Sequence, residues 1–77
     1  MKFNELDCVR VLVDFPEHGI KKGEIGTVVN VHTYKGETSY LVEFSDNCGR
    51  TTAMFCIPVC HMKKYYDFMT GQIIEDE

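Results

Sequence analysis

Tryptophan is absent from this chain, and proline occurs only twice in 77 residues. No segment sustains a helical apolar period over about ten positions, so a helical bundle is excluded. No apolar run approaches the roughly 20 residues that span a bilayer. Residues 1–14 carry Glu5, Asp7, Arg10 and Asp14, where a signal peptide would have an uncharged core. No membrane is expected as a partner, and the cytoplasm, where thiols stay reduced, is the expected compartment.

Basic clusters are also scarce. Lys21-Lys22 and Lys63-Lys64 are the only adjacent basic pairs, and eight Lys and Arg face 12 Asp and Glu, for a net charge of −4. Residues 67–77 hold Asp67, Glu75, Asp76 and Glu77 and no base, so the tail carries the whole excess over a balanced body. Nucleic-acid binding rests on clustered Lys and Arg that neutralise phosphates, so DNA and RNA are disfavoured partners.

The groupings that carry chemistry are incomplete. Four cysteines, Cys8, Cys48, Cys56 and Cys60, contain no C-x-x-C, and nothing marks one thiolate as activated. Cys56, Cys60 and His61 are of ligand types that zinc accepts, with Cys48 or His18 as a fourth. The spacing is poor, because Pro58 intervenes and Cys60 and His61 adjoin; small apolar thiols in the core are the preferred reading. Gly23-x-x-Gly26 lacks the Lys-Ser/Thr of a phosphate-binding loop, so the glycines read as turn and bulge residues. Gly19, Gly23 and Gly49 are expected to include at least two positions of positive φ. His18, beside Glu17 and Asp14, has no nucleophile with which to assemble a catalytic set. No cofactor and no catalysis are expected.

What is present is a series of short β patterns joined by turn chemistry. Strands are expected near Asp7–Val13, Gly26–Thr33, Ser39–Phe44 and Arg50–Ile57, with a last brief one within Val59–Tyr66. Tyr40, Val42 and Phe44 alternate against Leu41 and Glu43. Asp14–Gly19, Lys22-Gly23, Lys35-Gly36-Glu37 and Asp46–Gly49 supply the turns. Val28-Val29 and Phe55-Cys56-Ile57 are apolar on both faces, which calls for a bend where the inner face changes. Short strands with tight hairpins hide their edges by curling. The expected fold is all-β: a small five-stranded SH3-like barrel over residues 1–66, with the acidic 67–77 as a C-terminal extension. An alternative places a helix over residues 59–70, from the spacing of Met62, Tyr65, Tyr66 and Met69.

The runs Glu5-Leu6-Asp7-Cys8-Val9-Arg10-Val11-Leu12 and Pro16-Glu17-His18-Gly19-Ile20-Lys21-Lys22-Gly23-Glu24-Ile25-Gly26-Thr27-Val28-Val29 resemble a widespread family of small bacterial domains of unknown function. Tyr40-Leu41-Val42-Glu43-Phe44, Asp46 and Gly49-Arg50-Thr51 share that likeness, which covers about residues 3–60. The resemblance implies an SH3-like barrel and supplies no reaction, cofactor or catalytic residue. Some relatives accompany toxin-like proteins, which implies an immunity or antitoxin-like role. The chain departs from the pattern after Ile57.

Nine aromatic residues exceed the four or five that so small a core takes up. Tyr34, Tyr65, Tyr66 and Phe15 are expected to be partly exposed, and interfaces favour such residues. The leading expectation is a non-catalytic protein-interaction module that binds another protein or itself. Its contact candidates are Phe15, Glu17 and His18 in one loop, Tyr34 at a hairpin tip, and Tyr65, Tyr66, Phe68, Ile73 and Ile74 toward the tail. A metal-binding or redox module using Cys56, Cys60 and His61 is the alternative, and a weak nucleic-acid-binding barrel the second.

Overall fold

The computed structural model describes residues 3–74. Six strands appear among them: β1 (Cys8–Val11), β2 (Ile25–Tyr34), β3 (Glu37–Ser45), β4 (Thr51–Pro58), β5 (Met62–Asp67) and β6 (Gln72–Ile73). Two single 3-10 turns, η1 (Pro16–His18) and η2 (Val59–His61), complete the regular structure. The strands form one antiparallel sheet in the order β4-β3-β2-β1-β5-β6. Among the described residues this sheet is not closed by strand pairing, and its two edges are β4 and β6.

The strand count therefore corrects the expectation of five, because residues 72–73 turn back and pair with β5. The helix over 59–70 is not formed either: η2 gives way at Met62 to β5. Its apparent spacing has a simple origin. The β1–β5 register matches Val9 to Lys64 and Cys8 to Tyr66, so Tyr65 is an extra residue in a bulge. The bulge breaks the two-residue period at Tyr65, so the segment lacks the strict alternation by which a strand is read.

Residues paired across antiparallel strands share a face. Val9 and Val11 of β1, Val28 of β2, Tyr40, Val42 and Phe44 of β3, Ile57 of β4 and Met62 of β5 all point inward, where they join Phe3 and Ile20 in one core. Phe3 closes one side with its ring edge-on to Tyr40, centroids 5.1 Å apart. The expected bend in β2 is present as a register shift between Val28 and Asn30, which keeps Val28 and Val31 inward around the apolar pair. Gly26 lies directly over β3: an added Cβ would meet Val42 Cγ1 at 2.6 Å and Phe44 Cε2 at 2.9 Å.

The turns follow their sequences. Lys35 and Gly36 both take positive φ, 52° and 79°, as a two-residue hairpin of matched twist requires. Gly19, Gly23 and Gly49 all have positive φ, as the turn chemistry predicts. Asp46 Oδ1 accepts hydrogen bonds from the Cys48 and Arg50 amides, both at 2.9 Å, and holds the β3–β4 connection.

Among the described residues, one acidic side chain, Asp7, is fully buried. Asp7 accepts from the Asn4 amide at 2.8 Å and from the Phe68 amide at 3.0 Å, and Lys64 Nζ lies 3.3 Å from it. One carboxylate thus ties the N-terminal turn to the start of the tail, 61 residues away. The described tail is folded back rather than frayed, with the Gly71 amide on Asp67 O and the Ile74 amide on Tyr65 O. Glu75, Asp76 and Glu77 lie outside the described residues.

Candidate protein-binding surface

The loop between β1 and β2 is built to hold its shape. Pro16 opens η1 with a preset φ, and Gly19 ends it at φ 71° with its amide on Pro16 O. The Phe15 amide donates to Ile20 O at 2.8 Å and the Ile20 amide to Phe15 O at 3.2 Å, which closes the loop at its base. Acidic side chains brace the rest: Asp14 Oδ1 accepts from the Lys22 amide at 2.7 Å, and Glu24 Oε2 from the Lys21 amide at 2.8 Å. Arg10 Nη1 reaches Gly23 O at 2.7 Å from β1. A loop fixed this way loses little entropy when something binds to it.

This loop lies against β4 through aromatic rings. His18 stacks on Phe55, centroids 3.7 Å apart and planes within 5°. Phe15 meets Phe55 edge-on at 5.1 Å and His61 at 6.1 Å, and Phe44 supports Phe55 from the core at 5.7 Å. His61 Nδ1 is buried behind this group without a hydrogen-bond partner. A depression of about 370 Å³ opens on the same loop, lined by Asp14, Pro16, Gly19, Ile20 and Lys21.

On its other side β4 is an open edge. Its eight residues, Thr51 to Pro58, include no charged side chain. Met54 and Cys56 share the outer face with their β3 partners Glu43 and Leu41, and Met54 is 54% exposed. The backbone groups along this edge are free of any neighbouring strand among the described residues. Their N–H groups can donate to an added strand and their carbonyls accept from it, while the rings offer an apolar contact beside it.

The structure separates the sequence-derived candidates. Phe15, Glu17 and His18 stand together on the η1 loop, but Phe15 is half-buried by its packing rather than presented freely. Tyr34 sits apart at the β2–β3 tip, 74% exposed, with Lys35 Nζ 5.5 Å above its ring. Tyr65 and Tyr66 are half-buried, Tyr65 beneath the Arg10 guanidinium at 5.2 Å. Phe68, Ile73 and Ile74 lie on the hairpin at the opposite end of the sheet and remain exposed. Phe55 and Met54, central to the β4 surface, are not among the sequence-derived candidates. The signal was there in the uncharged run Thr51–Ile57.

The cysteine expectation needs correction. Cys48, Cys56 and Cys60 are exposed and Cys8 is half-buried, so these thiols are not core residues. For Cys56 the cause is register: it pairs with Leu41 on the outer face, while Phe55 and Ile57 take the inner one. Among the described residues no group of three or more His, Cys, Asp and Glu is placed to hold a metal ion, and Cys56, Cys60 and His61 do not form one. No helix of the described residues is long and apolar enough to cross a membrane.

These features define a small all-β domain whose single antiparallel sheet leaves one uncharged edge open beside a braced aromatic loop. The chain belongs to the family described as Domain of unknown function (DUF4926), whose model matches residues 5–64. That match runs past Ile57, through η2 and into β5, so the Pro58–His61 segment lies within the family's span. No curated protein and no solved structure matched the chain.

Proposed function

We propose that this domain is a non-catalytic protein-interaction module that receives an extended segment of another polypeptide along β4 and against the Phe15–His18–Phe55 rings. The observation that carries this reading is the eight-residue uncharged edge of β4 with stacked aromatic side chains beside it. Backbone pairing would supply affinity, and the rings and the adjoining depression would choose the side chains. The finer fold reading is an SH3-like barrel. It is supported by the way five strands send residues into one core and by η2, which turns the chain sharply between β4 and β5. An immunity or antitoxin-like role, with a toxin-like protein as partner, belongs to the same proposal.

The test is capture from an extract of the native cell by the immobilised domain. The parent and Tyr34→Ala should retain the same specific protein, whereas His18→Ala and Met54→Lys should lose it while keeping the parent's circular dichroism. Equal capture by all four proteins would refute the assignment of the surface.

A further inference from the structure

We infer that the β4 edge also pairs with the β4 edge of a second copy, so that two chains form an antiparallel dimer about a two-fold axis. This inference rests on the interaction reading above and names one occupant for the same edge.

Open edges are usually blunted by charged side chains, prolines, bulges or extreme shortness. The two edges of this sheet differ sharply in those devices. β6 has two residues and adjoins a strand with a bulge at Tyr65, beside Lys63, Lys64 and Asp67. β4 has eight residues, and its devices stand only at its ends. Pro58 is its last residue, and the register shift at Phe44/Ser45 falls at its start. Between them Thr52–Ile57 holds no Asp, Glu, Lys or Arg.

That composition favours a second copy over an unrelated strand. In a two-fold antiparallel pair, residue i faces residue j while j faces i, so a charge close to the axis meets its own kind. An uncharged strand escapes this repulsion. The charged neighbour on the N-terminal side, Arg50, is paired with Asp46 at 3.5 Å, which leaves that end of the strand balanced. Exposed Met54 and Cys56 would extend the outer face from one sheet to the next, adding apolar contact to the backbone bonds. A small domain gains disproportionately from added burial, because its own core is limited.

The experiment is sedimentation equilibrium of the full chain in reductant, over a wide concentration range. The weight-average mass should rise from 8.9 kDa toward twice that value as concentration increases. The double variant Met54→Lys, Cys56→Lys places charges at two exposed outer-face positions, which should preserve the fold and weaken association by about tenfold or more. Hydrogen exchange provides a second reading: amides of residues 52–57 should gain protection in the parent at high concentration and lose it on dilution. A parent that stays at 8.9 kDa throughout, or a double variant that associates like the parent, overturns the inference. A monomeric parent that still captures its partner through His18 overturns self-pairing alone. A dimer with no His18-dependent capture overturns the partner reading alone.

Discussion

Replacing Asp7 with Asn tests the tie between the N-terminal turn and the start of the tail. The Asp7 carboxylate is fully buried and faces three donors: the amides of Asn4 and Phe68 and the ammonium of Lys64. An asparagine can accept one amide bond, but its own NH2 then confronts the remaining donors. A hydrogen bond to a charged group contributes about 1.5–3 kcal/mol, and breaking a buried pair costs about 3–5 kcal/mol when the other charge is trapped. Lys64 is not fully trapped, since its side chain is 20% exposed and Asp67 lies 3.8 Å away. The lower end of that range applies, about 3 kcal/mol. A domain of this size loses about 4–8 °C of Tm per kcal/mol, so the variant should melt roughly 12–24 °C below the parent. Thermal circular dichroism reads the shift, and native-state hydrogen exchange should show the Asn4 and Phe68 amides opening first. A variant that melts within about 3 °C of the parent would refute the role of Asp7 as the joint between the two chain ends.

Further outcomes follow from the same geometry. Gly26→Ala drives a methyl into Val42 and Phe44, both buried, and should cost about 1–3 kcal/mol in urea denaturation. In Gly19→Val the Cβ has no neighbour within 4 Å, but a branched residue is forced to φ 71°, with an expected loss of about 1–2 kcal/mol in the same assay. Deleting residues 68–77 removes β6 and the Phe68 amide from Asp7, and should lower stability by about 1–2 kcal/mol. An unchanged denaturation midpoint for that truncation would mean the folded-back tail adds nothing to the body.

The parts of the fold that follow strict alternation were legible in the residues. Tyr40, Val42 and Phe44 announced the inner face of β3, and Val9 and Val11 that of β1, because a half-buried strand repeats every two residues. The pair Val28-Val29 gave away a bend, though not that a bulge would make it. Bulges hide where side chains change face, and the one at Tyr65 is why β5 could be mistaken for a helix. Asp7 stood in the sequence as one more acid of a charged N-terminus. Its burial depends on Phe68 and Lys64, which only the folded chain brings close. The proposed surface was half legible: Pro16 to Gly19 marked the loop, while Phe55 and Met54 gained their place from the open edge of β4.

The most direct test of the account is site-specific photo-cross-linking in the native cell. A photoreactive residue replaces either Met54, on the open edge of β4, or Tyr34, at the distant hairpin tip. Both positions are more than half exposed, so each substitution should leave the fold intact. Met54 should yield a discrete adduct, either with a second copy of the chain or with one partner protein, and Tyr34 should yield none. Adducts at Tyr34 with none at Met54 would contradict the assignment of β4 and its aromatic loop as the binding surface.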